Sequence, residues 1–227
     1  MRVLAIDTAL EACSAAVLDT ELGAISAHES LAMVRGHAEA LLPLIARVME
    51  RAGLEFAALD RIAVTIGPGS FTGLRVGIAA ARGIALAAGK PAVGLSTLAA
   101  YAAPLVAADD TLPVVAAIDA RHDHVYCQVF GPGGRTIVAP RLAPLREALR
   151  VAATGAPRLV GTAAAMLEAA WPAIERAPRL VDARCAPDID WVARLGAAAV
   201  ETGLPPKPLY LRAPDAQPQN AAQLARR

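Results

Sequence analysis

Three cysteines in 227 residues, Cys13, Cys127 and Cys185, stand far apart with no C-x-x-C spacing. That excludes the paired framework of a small secreted domain and the close ligand spacing of structural zinc. All three are expected to be small buried hydrophobes in a reducing compartment. Net charge is nearly absent too. A formal charge of +1 and a pI near 7.8 leave no basic footprint able to hold a phosphate backbone, so another chain would have to supply most of any nucleic-acid contact. Apolar runs meet a charged residue or proline before about 18 residues, which argues against a membrane span. Residues 1–7 reach a carboxylate before a signal-like core could form, so a cytoplasmic location is expected. What the chain does have is small apolar residues, with 56% hydrophobic content and mean hydropathy +0.43, enough for one large core or two small ones.

Residues 3–6 read as a buried strand ending in Asp7-Thr8, followed by strands at 15–18 and 24–31 around the turn residues 19–23. From Gly36 the period becomes helical, through Leu41, Leu42, Ile45, Val48 and Met49, and Gly53 stands where a C-terminal cap belongs. Pro43 inside that pattern predicts a kink or a late helix start. A strand at 61–66, a glycine turn, a helix over 70–88, a strand at 91–95 and a helix capped by Ser96 come next. Residues 109–113 mark a boundary. Beyond it a strand at 114–118 ending in Asp119 and another at 124–130 echo the opening, so the chain is expected to hold two related halves. A weaker strand at 158–161 and helices near 162–170 and 189–203 complete the second half, and the tail from Ala213 is expected to be disordered.

The run from Gly67 to Gly77 is the most informative, because a buried strand passes through a glycine turn directly into a helix. Such a turn could seat an anion. The helix also places Gly69, Gly73, Gly77, Ala81, Ala85 and Gly89 four apart, on or near one face. Each glycine inside a helix costs about 1 kcal/mol relative to alanine, and close approach of a second helix would offset it. A wholly internal helix is the plainer alternative. On the partner expectation, Gly77→Leu would block pairing and leave the lobe folded.

Other motifs carry less. Asp7-Thr8 at a strand end could be a phosphate loop, but the following Ala9-Leu10-Glu11-Ala12 has no glycine and Glu11 would repel a phosphate. His37 could be half of an H-x-x-x-H metal pair, yet position 41 is leucine, which favours a hydrogen-bonding role. Ser70 and Thr72 suit helix capping better than nucleophilic catalysis. Asp119-Ala120-Arg121 is either a functional loop or a local ion pair.

Ile6-Asp7-Thr8, the run Gly36-His37-Ala38-Glu39-Ala40-Leu41-Leu42-Pro43, the Gly67 to Gly77 run, Ala117-Ile118-Asp119-Ala120-Arg121 with Val125-Tyr126, and Tyr210-Leu211-Arg212 together resemble the bacterial TsaB (YeaZ) family. The resemblance implies an α/β fold of two actin-like, ribonuclease H-like lobes with mixed sheets. An N-terminal lobe would span 1–108, a reduced second lobe 109–212 and a tail 213–227. It implies a non-catalytic subunit in formation of tRNA threonylcarbamoyladenosine, beside a catalytic paralogue (TsaD) and an ATPase (TsaE), with tRNA reached through the complex. Self-pairing through the same face is expected when the paralogue is missing. His37, Leu41, Leu42, Ile45, Gly69, Gly73, Gly77 and Ala81 would form the partner surface. Asp7, Thr8, Asp119 and Gly161 would be remnants of a nucleotide site. No metal or cofactor is expected on this chain alone, with ATP or ADP and metal on the partners. The alternatives are a self-contained actin-like ATPase or kinase, and a metalloprotease.

Overall fold

Strands whose alternate residues are apolar on both faces must be covered on both faces, and the central strands of this chain are of that kind. A computed structural model describes residues 1–153 and 155–212. Its first sheet has β1 (Arg2–Asp7), β2 (Ala12–Asp19), β3 (Ala24–Ala32), β4 (Arg61–Gly67) and β5 (Ala92–Ser96), in the order β3-β2-β1-β4-β5. β1, β2 and β3 form an antiparallel meander, and β4 and β5 add in parallel. The parallel additions need crossovers, supplied by α1 (His37–Arg51) and α2 (Phe71–Ala88). Leu4 and Ile6 of β1 point toward those helices, while Val3 and Ala5 point to the opposite face.

α3 (Thr97–Ala108), capped by Ser96, leads to the second sheet: β6 (Val114–Asp119), β7 (His124–Phe130), β8 (Thr136–Pro144), β9 (Arg158–Val160) and β10 (Leu180–Asp182). Its order, β8-β7-β6-β9-β10, repeats the first sheet strand for strand. α4 (Leu145–Ala152) and α5 (Ala164–Ala169) cover one face. The second half is therefore reduced in strand length, with β9 and β10 three residues each, and not in strand number.

Helices are exchanged between the halves. α3 lays Leu98, Tyr101 and Ala102 on the second sheet, while α6 (Ile189–Ala198) returns to the first, where Ile189, Val192 and Ala193 meet Val3, Ala5 and Ala63. The expected second lobe of 109–212 is corrected on that account, since α6 packs on the first sheet and the segment after it stays there, with the Leu209 N–H bonded to Ile66 O. Two arginines hold the exchange in place. Arg61, at the start of β4 and 6% exposed, donates to the carbonyls of Gly196, Ala197 and Ala199 at 2.8, 3.0 and 2.8 Å and pairs with Glu201 at 2.5 Å. Arg158, at the start of β9, does the same for Leu105, Asp109 and Leu112 at 2.6, 2.6 and 2.8 Å. These carbonyls lie at or beyond helix ends, where intrahelical donors run out, although Leu105 O also accepts from the Asp109 N–H at 3.1 Å. Turning toward Arg61 also ends α6 at Ala198, short of the expected 203.

Pro43 neither delays nor ends α1, which begins six residues before it and runs to Arg51. The proline is exposed, so water can satisfy the carbonyl it leaves unpaired. Gly53, at φ +63°, closes the helix as expected: its N–H bonds to Glu50 O and that of Leu54 to Met49 O. The expected disordered tail, 213–227, lies outside the described residues.

Candidate functional site

The end of β1 and the start of α2 form one hydrogen-bonded unit. Asp7 Oδ1 accepts from the Ala9 N–H at 3.1 Å and from the Thr65 hydroxyl, Thr8 Oγ1 donates to Gly73 O at 2.7 Å, and the Ser70 N–H donates to Ala9 O at 2.7 Å. His37, the first residue of α1, bonds Leu10 O through Nε2 at 3.0 Å. The histidine thus secures the β1–β2 loop, the hydrogen-bonding role its lone position suggested.

The glycine stripe faces this same loop, and here the expected partner surface is corrected. A Cβ on Gly69 would collide with Ala9 O, one on Gly73 with Thr8 O, and one on Gly77 with Thr8 Oγ1. Ala81 is wholly buried, as are Leu41 and Ile45 of α1, which pack into the first core. The stripe does serve close approach, but of the chain's own loop. Of the eight residues expected at the partner surface, Leu42 alone is both large and well exposed, at 57%. Leu74 and Ile78 are buried with the stripe.

The outward face of α2 is built from other residues. Phe71, Arg75, Ala79, Arg82, Gly83 and Leu86 are exposed at helical spacing, and α2 packs beside α1, which adds Leu42. Leu86 is 86% exposed and Phe71 53%. The segment after α6 runs alongside. Pro206 is buried against Gly94, the Leu209 N–H bonds Ile66 O at 2.7 Å, and Tyr210 stacks on Phe71 with centroids 5.6 Å apart. Arg75 lies 3.7 Å above the Phe71 ring and donates from Nε to the Tyr210 hydroxyl at 3.0 Å. Sequence reasoning missed this strap as part of the surface, although Tyr210 belonged to the motifs carrying the resemblance. α2 is long and apolar enough by length and composition to cross a bilayer. Its inner face is packed against Val64, Thr8 and the first core, the ordinary reason for such a helix in a layered α/β lobe.

The nucleotide-loop remnants fall into two groups. At the end of β6, the Asp119 N–H bonds Thr162 Oγ1 at 2.9 Å and its carboxylate accepts from the Arg121 N–H at 2.7 Å, so Asp119 and the 161–162 turn are brought together. The Asp119-Ala120-Arg121 loop is therefore held by a carboxylate on backbone and not by an ion pair. Gly161, at φ +108°, has no room for a Cβ beside Ala117 O. Asp7 and Thr8 form the other group. Between them Leu10 packs against both the first core and the cluster of Tyr101, Ile118 and Val160, occupying the space a glycine would leave open. Among the described residues, no three His, Cys, Asp or Glu side chains are grouped to hold a metal. Cys13 and Cys127 are buried as expected, whereas Cys185 is exposed.

Asp7 is fully buried, and its Oδ2 has no partner among the described residues. Burial pushes its carboxyl above the usual range, against the pull of the Thr65 and Ala9 hydrogen bonds and of His37. The folded state then keeps a proton that the unfolded chain releases above its ordinary value of 3.8, so this group lowers stability as pH rises from there. Asp7→Asn is expected to flatten that dependence. Unfolding free energies of both proteins at pH 4.5 and 8 check it: the difference should shift in favour of the variant at the higher pH, and a constant difference would refute the raised pKa.

A model of the family described as TsaD, tRNA N6-adenosine threonylcarbamoyltransferase, matches residues 30–178. The tRNA threonylcarbamoyladenosine biosynthesis protein TsaB of Escherichia coli is 42% identical over 126 residues, 56% of this chain and 53% of that one. The chain thus spans about half the length of the curated TsaB relatives it matches. An uncharacterized protein of Mycobacterium tuberculosis is 34% identical over 218 residues, 95% of this chain and 94% of its own. Among solved structures, YeaZ from Pseudomonas aeruginosa superimposes with a TM-score of 0.77 at 32% identity, covering 92% of this chain and 99% of that one.

Proposed function

Because this chain belongs to the TsaB (YeaZ) family, we propose that it is a non-catalytic subunit in tRNA threonylcarbamoyladenosine formation, pairing with a TsaD-type transferase and activating it. The pair would in turn offer the surface on which a TsaE-type ATPase assembles and tRNA is presented, in the cytoplasm. ATP or ADP and metal would reside on those partners. The single observation that carries the pairing is the outward face of α1 and α2, where Leu42, Phe71 and Leu86 stay exposed on adjoining helices. Exposed apolar groups gathered on one face mark an interaction site. A supporting role, without chemistry of its own, is favoured by the β1–β2 loop, where Leu10 fills the space between the halves and the unpartnered Asp7 is sealed from solvent.

Gly83 gives the test. It lies exposed in the middle of α2 with nothing within 4 Å of where a Cβ would stand. Nothing among the described residues therefore accounts for a glycine that costs about 1 kcal/mol in a helix, and a partner's backbone passing over it would. Gly83→Leu is expected to keep or slightly raise its melting temperature, lose the transferase on size-exclusion chromatography, and fail to support modification in a reconstitution with transferase, ATPase and tRNA. Omitting this chain should stop modification equally. Full-rate modification without it, or by this chain alone, would defeat the proposal.

A further inference from the structure

We propose that the face made by α2 and the strap 199–212 receives a partner surface that is both apolar and acidic, and that a second copy of this chain is the weaker occupant. This rests on the pairing proposed above and specifies its chemistry. Between the end of α2 and the start of the strap lies a groove of about 480 Å³, flanked by Leu86 and Leu204, which are 86% and 69% exposed. Phe71 and Tyr210 close the other end of the same face. The strap is therefore one wall of the surface and contributes Leu204 and Tyr210 to its large apolar groups.

Apart from Glu201, the charges on this face are cationic. α2 contains no acidic residue, and Arg75, Arg82 and, just past its end, Lys90 are its cations. Among the described residues, Arg75 is engaged only with Phe71 and the Tyr210 hydroxyl. Arg82 and Lys90 line the groove and have no side-chain partner among the described residues. The one carboxylate in the lining, Glu201, is held by the buried Arg61 at 2.5 Å and is already compensated. A twofold contact between two copies would set this row of cations against itself, because an isologous interface opposes each patch to its own image. Like charges across an interface select against the wrong partner, and complementary ones steer the right one. The required occupant carries carboxylates at the spacing of Arg82 and Lys90 around an apolar centre.

The sign of the salt dependence separates the two occupants. Titration calorimetry with the purified TsaD-type transferase is expected to show affinity falling as salt rises from 50 to 500 mM, since screening weakens attraction. Self-association of this chain, read by sedimentation velocity, should be at least about tenfold weaker and should strengthen with salt. The double variant Arg82→Glu, Lys90→Glu should lose at least about tenfold in transferase affinity, while Arg146→Glu, on α4 of the other half, should leave it unchanged. Leu204→Glu should weaken pairing through the strap. Wild-type affinity in the charge-reversed variant, or salt-weakened self-association tighter than the transferase complex, would overturn the inference. If Gly83→Leu abolishes pairing while charge reversal does not, the pairing stands and this inference alone falls. A wild-type chain that binds no transferase removes both.

Discussion

Gly73→Leu is expected to destabilise the first half of the chain severely, with a loss of about 4 kcal/mol or more, a large share of total stabilities of about 5–15 kcal/mol. A side chain at 73 meets the Thr8 carbonyl oxygen, which is backbone and cannot rotate away. Separating α2 from the β1–β2 loop would also break the Thr8 Oγ1 bond to Gly73 O and the Ser70 N–H bond to Ala9 O, and would lift Leu74 and Ile78 out of the core. The same replacement at Gly83, ten residues along the same helix, meets open space. Circular dichroism melts of the two variants make the comparison, and a Gly73→Leu protein that melts within a few degrees of wild type would show that the stripe faces outward after all. Gly77→Leu should likewise fail by misfolding and not by blocking a partner, because Thr8 Oγ1 and Val64 stand where its side chain would go.

Arg61→Met should cost about 3–5 kcal/mol, the range seen when one member of a buried charged network is removed and the rest is left behind. Methionine restores much of the volume and none of the donors, so the carbonyls of Gly196, Ala197 and Ala199 would lose their shared partner, and Glu201 its cation. At about 2–4 °C per kcal/mol for a chain of this size, the melting temperature should drop by roughly 10 °C. Hydrogen exchange should rise first in α6 and the strap, which Arg61 ties to β4. A loss below about 1 kcal/mol would mean that α6 is held by its apolar face alone, through Ile189, Val192 and Ala193. Since the strap forms a wall of the proposed surface, this variant should also weaken transferase pairing although Arg61 itself is buried.

Much of the fold was legible along the chain. The meander 3–31, the strand at 61–66, the helix over 70–88 and the strand into Asp119 all appear within a residue or two of where their periodicity puts them. The omissions share a cause. β8 contains Pro140 and Pro144, which argue against a strand unless it lies at a sheet edge, where it does lie. β10 is three residues long and offers no period to detect, and α4 is two turns whose signal is lost between turn-rich flanks. The meeting of Asp119 with Thr162 and of Arg61 with the end of α6 joins positions 43 and more than 130 residues apart, which no local pattern encodes.

The amino-acid order by itself determined the two repeated halves, the glycine-rich entry to α2 and the absence of a second metal-binding histidine, because strand and helix periods and residue chemistry are local properties. Only the tertiary structure decided which way α2 faces. Arg75 and Arg82 aside, both of its sides are apolar or small, so hydropathy carries only a weak direction. The choice fell to steric fit: Gly69 and Gly73 admit the Thr8-Ala9 backbone and Gly77 the Thr8 hydroxyl, and once that side is sealed, Phe71, Arg75, Arg82 and Leu86 are left to meet another molecule.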